Sequence, residues 1–404
     1  MRVGIDIEQF VRDPYGSGIQ RVLQYLAITW PESDVEPVFI APLPESPRAE
    51  FLALNAAQAA ELLSIPFAPP IEQTIDDRNV VEEVRLALLT SDAPILSLSQ
   101  VMSTCHIWFL PEVTYLPQVL ARFELFAKAM PTMMIGYDTF PMTAPANYRF
   151  TPGTAAEVNS YFRALVTTNS VVCISEFARQ SIWNRLRRDR SLPCTVAHPG
   201  GDHISASKTS FDSDDRVLRP VRFARLGTME ARKHPVEIVD AFIAAIDSGV
   251  LAELLFIGRA SASDSSINHR LESAIELGYP ITWVQDASDT QVRELVADSD
   301  VFLSVGVEGY GIPVLEALQL ATPVLYWGEQ PAAELMEGRG AVSLVVDGVG
   351  VDGGDLRGAL DYAFVQYSNR AHLVGLLNEV SVESIPAWAD FSFAVERAVR
   401  ELLA

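Results

Sequence analysis

Short runs of consecutive apolar or β-branched residues alternate along the chain with amphipathic stretches of helical period, the pattern of a parallel sheet covered by helices. In the second half, 221–226, 254–257, 281–284, 301–304 and 323–326 read as strands, and 235–247, 266–277, 289–297 and 313–320 as the helices between them. Ser288 and Gln291 have capping-box spacing, and Pro235 and Pro313 suit first-turn positions, so several helix starts are marked independently of hydrophobicity. In the first half, 3–7, 35–40, 95–98, 107–110, 133–137 and 171–174 form a second set of parallel strands, with longer connections broken by the Pro-rich stretch 42–47 and by 66–77. The polar, Ser/Asp-rich stretch 205–215 has linker composition. The expected organisation is therefore an α/β chain of two doubly wound domains, 1–204 and 216–380. The segment 381–404 is expected to be an amphipathic C-terminal helix, apolar at Phe393, Val395, Val399 and Leu402, with the N-terminal domain as one surface open to it.

Length agrees with this division, because 404 residues exceed what one hydrophobic core ordinarily organises. A formal charge of −22 excludes extensive contact with nucleic acid, which requires a surplus of Lys and Arg; any anionic ligand must be met locally. Cys105, Cys173 and Cys194 are widely spaced and lack a CxxC pair, so neither a disulfide framework nor a zinc knuckle is expected. The first residues enter a strand directly, without the pattern of a signal peptide, and no apolar run approaches the ~20 residues of a membrane span. The expectation is a cytoplasmic protein.

The densest chemistry lies in Ser304-Val-Gly-Val-Glu308-Gly309-Tyr-Gly311-Ile312-Pro313-Val314-Leu-Glu316. A buried-type strand turns through two glycines and opens a helix at Pro313, presenting backbone N–H groups and a positive helix end that suit a diphosphate. Glu308 in the loop and Glu316 one turn inside the helix can accept hydroxyls, which suits Glu308 to a sugar and Glu316 to a ribose. The phosphate charge is then left to amides and cations, and Arg232-Lys233 stand after another strand. In an open α/β sheet such loops converge at the carboxyl ends of adjacent strands.

These segments resemble retaining glycosyltransferases of the GT-B fold, glycosyltransferase family 4. The signature is the pair Glu308 and Glu316 with seven residues between them, followed by Thr322-Pro323-Val324; Leu226-Gly-Thr-Met-Glu-Ala-Arg232-Lys233 resembles the donor-phosphate turn. Gly16-Ser-Gly18-Ile-Gln-Arg21, Gly136-Tyr137-Asp138-Thr-Phe-Pro141 and Cys173-Ile-Ser175-Glu-Phe-Ala-Arg179 extend the resemblance into the first domain. The resemblance implies two Rossmann-like domains facing across a cleft, a nucleotide-diphosphate sugar as co-substrate, no further cofactor, and transfer of a hexose or deoxyhexose, mannose favoured, to a glycan or lipid-linked acceptor. It implies that Glu308 contacts the transferred sugar and Glu316 the ribose, that Arg232 and Lys233 neutralise the diphosphate, and that Gly16, Gly18 and the amides of Gly311, Ile312 and Val314 approach it. It also implies that Tyr137-Asp138 stands where many relatives carry histidine-aspartate, which makes Tyr137 and Asp138 catalytic candidates with Glu308, the Tyr137 phenol substituting for the imidazole toward the sugar hydroxyls, and a structural pair at a strand end is the alternative for those two residues.

Asp212-Ser-Asp214 and Asp298-Ser-Asp300 match a metal-binding D-x-D form but fall in the linker and at a helix end, and His106, His198, His203, His234 and His269 have no metal-ligand spacing. The expectation is metal independence. The basic island 179–190 is expected to be helical, and it either leans on an anionic membrane or receives a lipid-diphosphate acceptor through Ile182, Trp183 and Leu186, or stands as a solvated helix packed by those residues, the favoured reading. Two other functions stay open: a nucleotide-sugar epimerase or isomerase of the same fold, and a non-catalytic nucleotide-sugar-binding subunit.

Overall fold

The computed structural model describes residues 1–46, 48–68, 79–145, 152–204, 219–344 and 355–403. The expected linker 205–215, and with it Asp212 and Asp214, lies outside the described residues. The chain divides into two compact units: one takes the residues as far as Gly200 and the stretch from Pro386 onward, the other Gly201–Ile385.

The first unit holds β1 (Arg2–Asp6), β2 (Glu36–Pro42), β3 (Phe51–Leu54), β4 (Ile95–Leu96), β5 (Ile107–Leu110), β6 (Thr132–Gly136), β7 (Ser170–Cys173) and β8 (Cys194–Val196), in the order β4-β3-β2-β1-β5-β6-β7-β8. β2, β1 and β5 to β8 are parallel. Every residue of β5 is buried, as a strand covered on both faces requires. The run at 95–98, expected among the parallel strands, is corrected to β4 over Ile95–Leu96, which pairs antiparallel with β3, a strand that itself runs against β2. The connection from Pro42 to Phe51 is too short for a crossover, so the chain returns as a hairpin.

The second unit holds β9 (Val221–Leu226), β10 (Ala252–Ile257), β11 (Ile281–Val284), β12 (Val301–Val305), β13 (Val324–Trp327) and β14 (Ala341–Ser343), all parallel, in the order β11-β10-β9-β12-β13-β14. The sequence of strands reverses direction between β9 and β12, and a crevice opens outside the carboxyl ends of strands at such a point. Phe364 meets Phe223 and Phe242 edge-on, with ring centroids 5.0 and 5.2 Å away, pinning helices Pro235–Asp247 and Leu356–Tyr367 to the sheet. Ser288 caps helix Asp289–Ala297 with a full capping box.

Helix Trp388–Leu403 packs on helix Gly18–Thr29 of the first unit: Trp388 stacks on Tyr25 at 4.8 Å, and Thr29 and Ser392 share a hydroxyl hydrogen bond of 2.7 Å. Its buried stripe is Trp388, Phe391, Val395 and Val399, whereas Phe393, expected on that face, is 58% exposed. Two positions from either Phe391 or Val395 is about 200° around a helix, so Phe393 points away. The basic island is also corrected. Its helix ends at Asn184, Arg187 takes a left-handed φ of 58°, and Arg188 is buried with its guanidinium donating to the carbonyls of Leu165, Val166 and Pro193. Three carbonyl acceptors fix the Arg188 side chain inside the fold. No helix among the described residues is long and apolar enough to cross a membrane.

Candidate functional site

The turn after β9 and the turn after β12 are built to touch. Gly306, at φ 110°, lies so close to the 3₁₀ turn Ala231–Lys233 that a Cβ there would stand 2.0 Å from the Arg232 carbonyl oxygen, and only glycine permits that approach. Buried Gln330 secures the same point from β13, accepting from Ser304 Oγ at 2.8 Å and donating to the Gly306 carbonyl at 2.9 Å.

This contact delivers the expected cations to the expected acid. Arg232 Nη1 donates to Glu308 Oε2 at 2.9 Å and to the Val307 carbonyl at 2.7 Å, while Lys233 Nζ lies 3.1 Å from Glu308 Oε1. The other edge of Arg232 pairs with Glu230 at 2.7 Å. Burial pushes the Glu308 carboxyl upward, but Lys233 and Arg232 more than offset it and hold the group at about 2. Burial pulls the Lys233 amine down, against the attraction of Glu308.

A third cation, absent from the expected site, underlies the pair. Arg225 on β9 is buried and donates to the carbonyls of Leu226 and Lys233 at 3.1 and 3.2 Å. Burial lowers its guanidinium to about 10, which leaves it charged at neutral pH. An arginine inside the apolar run Val221–Leu226 was the available sequence signal.

Beyond Glu308, Gly309 and Tyr310 lead to Gly311, which caps helix Ile312–Gln319 at φ 107°. Pro313 has no N–H and the Val314 amide donates to the Gly311 carbonyl at 3.0 Å, so the set of amides expected to meet a phosphate narrows toward Gly311 and Ile312. Glu316 is buried one turn in and accepts from His203 Nε2 at 2.9 Å, a partner that metal-ligand spacing could not reveal. Asp298 and Asp300, the described D-x-D pair, are engaged by Arg219 and Arg222.

The other expected residues belong to the first unit. Gly16 turns at φ 67° and its amide donates to the Gln20 side chain, while Gly18 opens helix Gly18–Thr29 behind the Ser17 cap. Tyr137 is buried, with its hydroxyl donating to the Pro111 carbonyl at 2.9 Å and its phenol pushed up by burial; Asp138 accepts from the Phe140 amide at 3.0 Å.

The first unit has its own reversal of strand order, between β1 and β5. Buried Arg122 there donates to Asp6 at 2.7 and 3.0 Å and to Glu8 at 2.8 Å, and Glu112 accepts from the Phe10 amide at 3.0 Å. Burial raises the Glu112 carboxyl well above its usual range. Glu8, Arg12, Gln118, Arg122 and Phe51 are among the residues that line a cleft of about 560 Å³.

No protein-family profile matches the chain. A stretch of 139 residues is 33% identical to the serotype-specific mannosyltransferase WbdA of Escherichia coli, covering 34% of this chain and 16% of that protein. The chain thus matches about a sixth of the length of its curated relatives. Among solved structures, Anabaena HepE in complex with UDP and glucose superposes with a TM-score of 0.60 at 13% identity, over 100% of this chain and 99% of HepE. Sucrose-phosphate synthase from Thermosynechococcus elongatus gives 0.61 at 11% identity, over 100% and 99%. These likenesses carry the fold: two parallel-sheet Rossmann-like domains of the GT-B kind.

Proposed function

We propose that the chain is a retaining, metal-independent glycosyltransferase that moves a hexose or deoxyhexose from a nucleoside-diphosphate donor to a glycan or lipid-linked acceptor. The observation that carries this reading is the meeting of Arg232, Lys233 and Glu308 at the β9/β12 reversal of the second sheet. Transfer of a sugar from a nucleoside diphosphate leaves negative charge on the departing diphosphate. Two cations, held in place before the donor arrives and backed by Arg225, stabilise that charge without reorganising during the reaction. Glu308 aligns both cations, and its carboxylate is also the acceptor that sugar hydroxyls require. Similarity of part of the chain to a mannosyltransferase supports mannose as the favoured sugar. The cleft beside Arg122 and Phe51 in the first unit, which combines an aromatic wall with carboxylates, suits the hydroxyls and apolar faces of an acceptor sugar.

The test is turnover with GDP-mannose and UDP-glucose, in chelator, against a mixed glycan and lipid-linked acceptor extract. Lys233→Met is expected to lower kcat by about 10²–10³-fold, the usual cost of one preorganised donor to developing charge. Unaltered turnover in a folded Lys233→Met protein would overturn the assignment.

A further inference from the structure

Only 2% of the His203 side chain is exposed, and its ring meets the carboxylate of Glu316. The two are far apart in sequence, yet Nε2 stands 2.9 Å from Oε1. The chain achieves this through Gly201, which is pressed against helix Ile312–Gln319: a Cβ there would lie 2.5 Å from Leu315 Cβ and 2.8 Å from Ile385 Cγ2. Lacking a side chain, Gly201 lets the turn Gly201-Asp202-His203 lie flat on the helix beside Glu316. A buried carboxylate needs hydrogen-bond donors, and an imidazole N–H supplied by a packed ring fixes both its position and its plane.

We propose that His203 is a positioning residue for nucleoside recognition, holding the Glu316 carboxylate in the orientation that accepts the ribose hydroxyls of the donor. The inference rests on the nucleoside-diphosphate reading above and extends it to a residue pair. An ionised carboxylate has about four lone-pair sites, so an oxygen that accepts from one imidazole keeps capacity for hydroxyls. A long acidic side chain already immobilised spares the ordering cost otherwise incurred on binding. Loss of His203 therefore weakens the response to ribose hydroxyls specifically, and leaves the contribution of the diphosphate in place.

Calorimetric titration of the full chain with guanosine and uridine diphosphates, and with their 2′,3′-dideoxy counterparts, separates these contributions. The wild type is expected to prefer the better ribonucleotide over its dideoxy form by about 10–100-fold, as hydrogen bonds to a charged acceptor provide. In His203→Ala the preference should shrink to within about twofold, with affinity for the dideoxy form unchanged. His203→Gln, whose amide can donate to the same oxygen, should restore part of it. A folded His203→Ala that keeps the full preference overturns the proposal. If that variant does not fold, His203→Gln decides: equal losses for ribo and dideoxy forms mark a merely structural histidine. Wild-type protein that binds the diphosphates without preferring ribose overturns this inference alone, whereas wild-type protein that binds none of them removes the nucleotide reading as well.

Discussion

The two sheets reverse strand order in corresponding places, β1/β5 and β9/β12, and carry opposite charge there. At the first reversal Asp6 and Glu8 gather around Arg122, Arg12 pairs with Glu8 as well, and Glu112 stands near Asp6; at the second, Arg225, Arg232 and Lys233 gather around Glu308 and Glu230. The first cluster sets three acids against two cations, the second three cations against two acids. One topology therefore makes two unlike crevices: the second carries an excess of cations, and the first offers carboxyl acceptors suited to neutral hydroxyls. In a chain of net charge −22, a local cationic excess is a departure from the overall balance.

If Arg122 is the counterion that makes the acidic crevice tolerable, replacing it should have the largest effect. Arg122→Met leaves Asp6 and Glu8 buried without their main partner, and urea denaturation is expected to show a loss of about 3–5 kcal/mol. A loss below about 1 kcal/mol, the scale of a surface pair, would mean that the cluster is not held by charge.

The second contrast lies in acid titration. Glu308 titrates at about 2 in the folded chain against an ordinary 4.5. The unfolded chain takes up the proton first, so stability falls as pH drops between those values, by roughly 3 kcal/mol for this group. Glu308→Gln should lack that component when unfolding is followed between pH about 5 and 2; an identical pH dependence in the variant would show that the cations do not hold the carboxyl down.

Glu112 sharpens the comparison with the opposite sign and a smaller effect. Burial raises its carboxyl in the fold, so the folded chain holds the proton longer and stability falls as pH rises above the ordinary carboxyl range. Glu112→Gln should therefore melt a few °C above wild type at pH 8 and coincide with it at pH 4. A lower melting temperature at pH 8 would indicate an ionised, well-partnered Glu112.

Much of this arrangement was legible from residue order. Helices Pro235–Asp247 and Asp289–Ala297 begin where their proline and capping box predict, and β5, β9 and β11 have the expected bounds, because each is a short run dominated by apolar and β-branched residues. Arg232, Lys233 and Glu308 were legible as a group because the loops at the carboxyl ends of adjacent strands converge. Short strands such as β3, β8 and β14 carry too few residues for a period to appear. His203 was hidden for another reason: its partner is distant in the chain, and nothing local to Gly201-Asp202-His203 marks the helix on which it lies.

The helix Trp388–Leu403 has a consequence for synthesis. Its buried face completes the core of the first unit, yet it is translated after the whole of Gly201–Ile385. The stretch Gly201–Ile385 of the second unit can finish folding while the nascent first unit still exposes the apolar groove around Tyr25 that Trp388 later fills. Order of maturation is thus inverted relative to order of emergence from the ribosome.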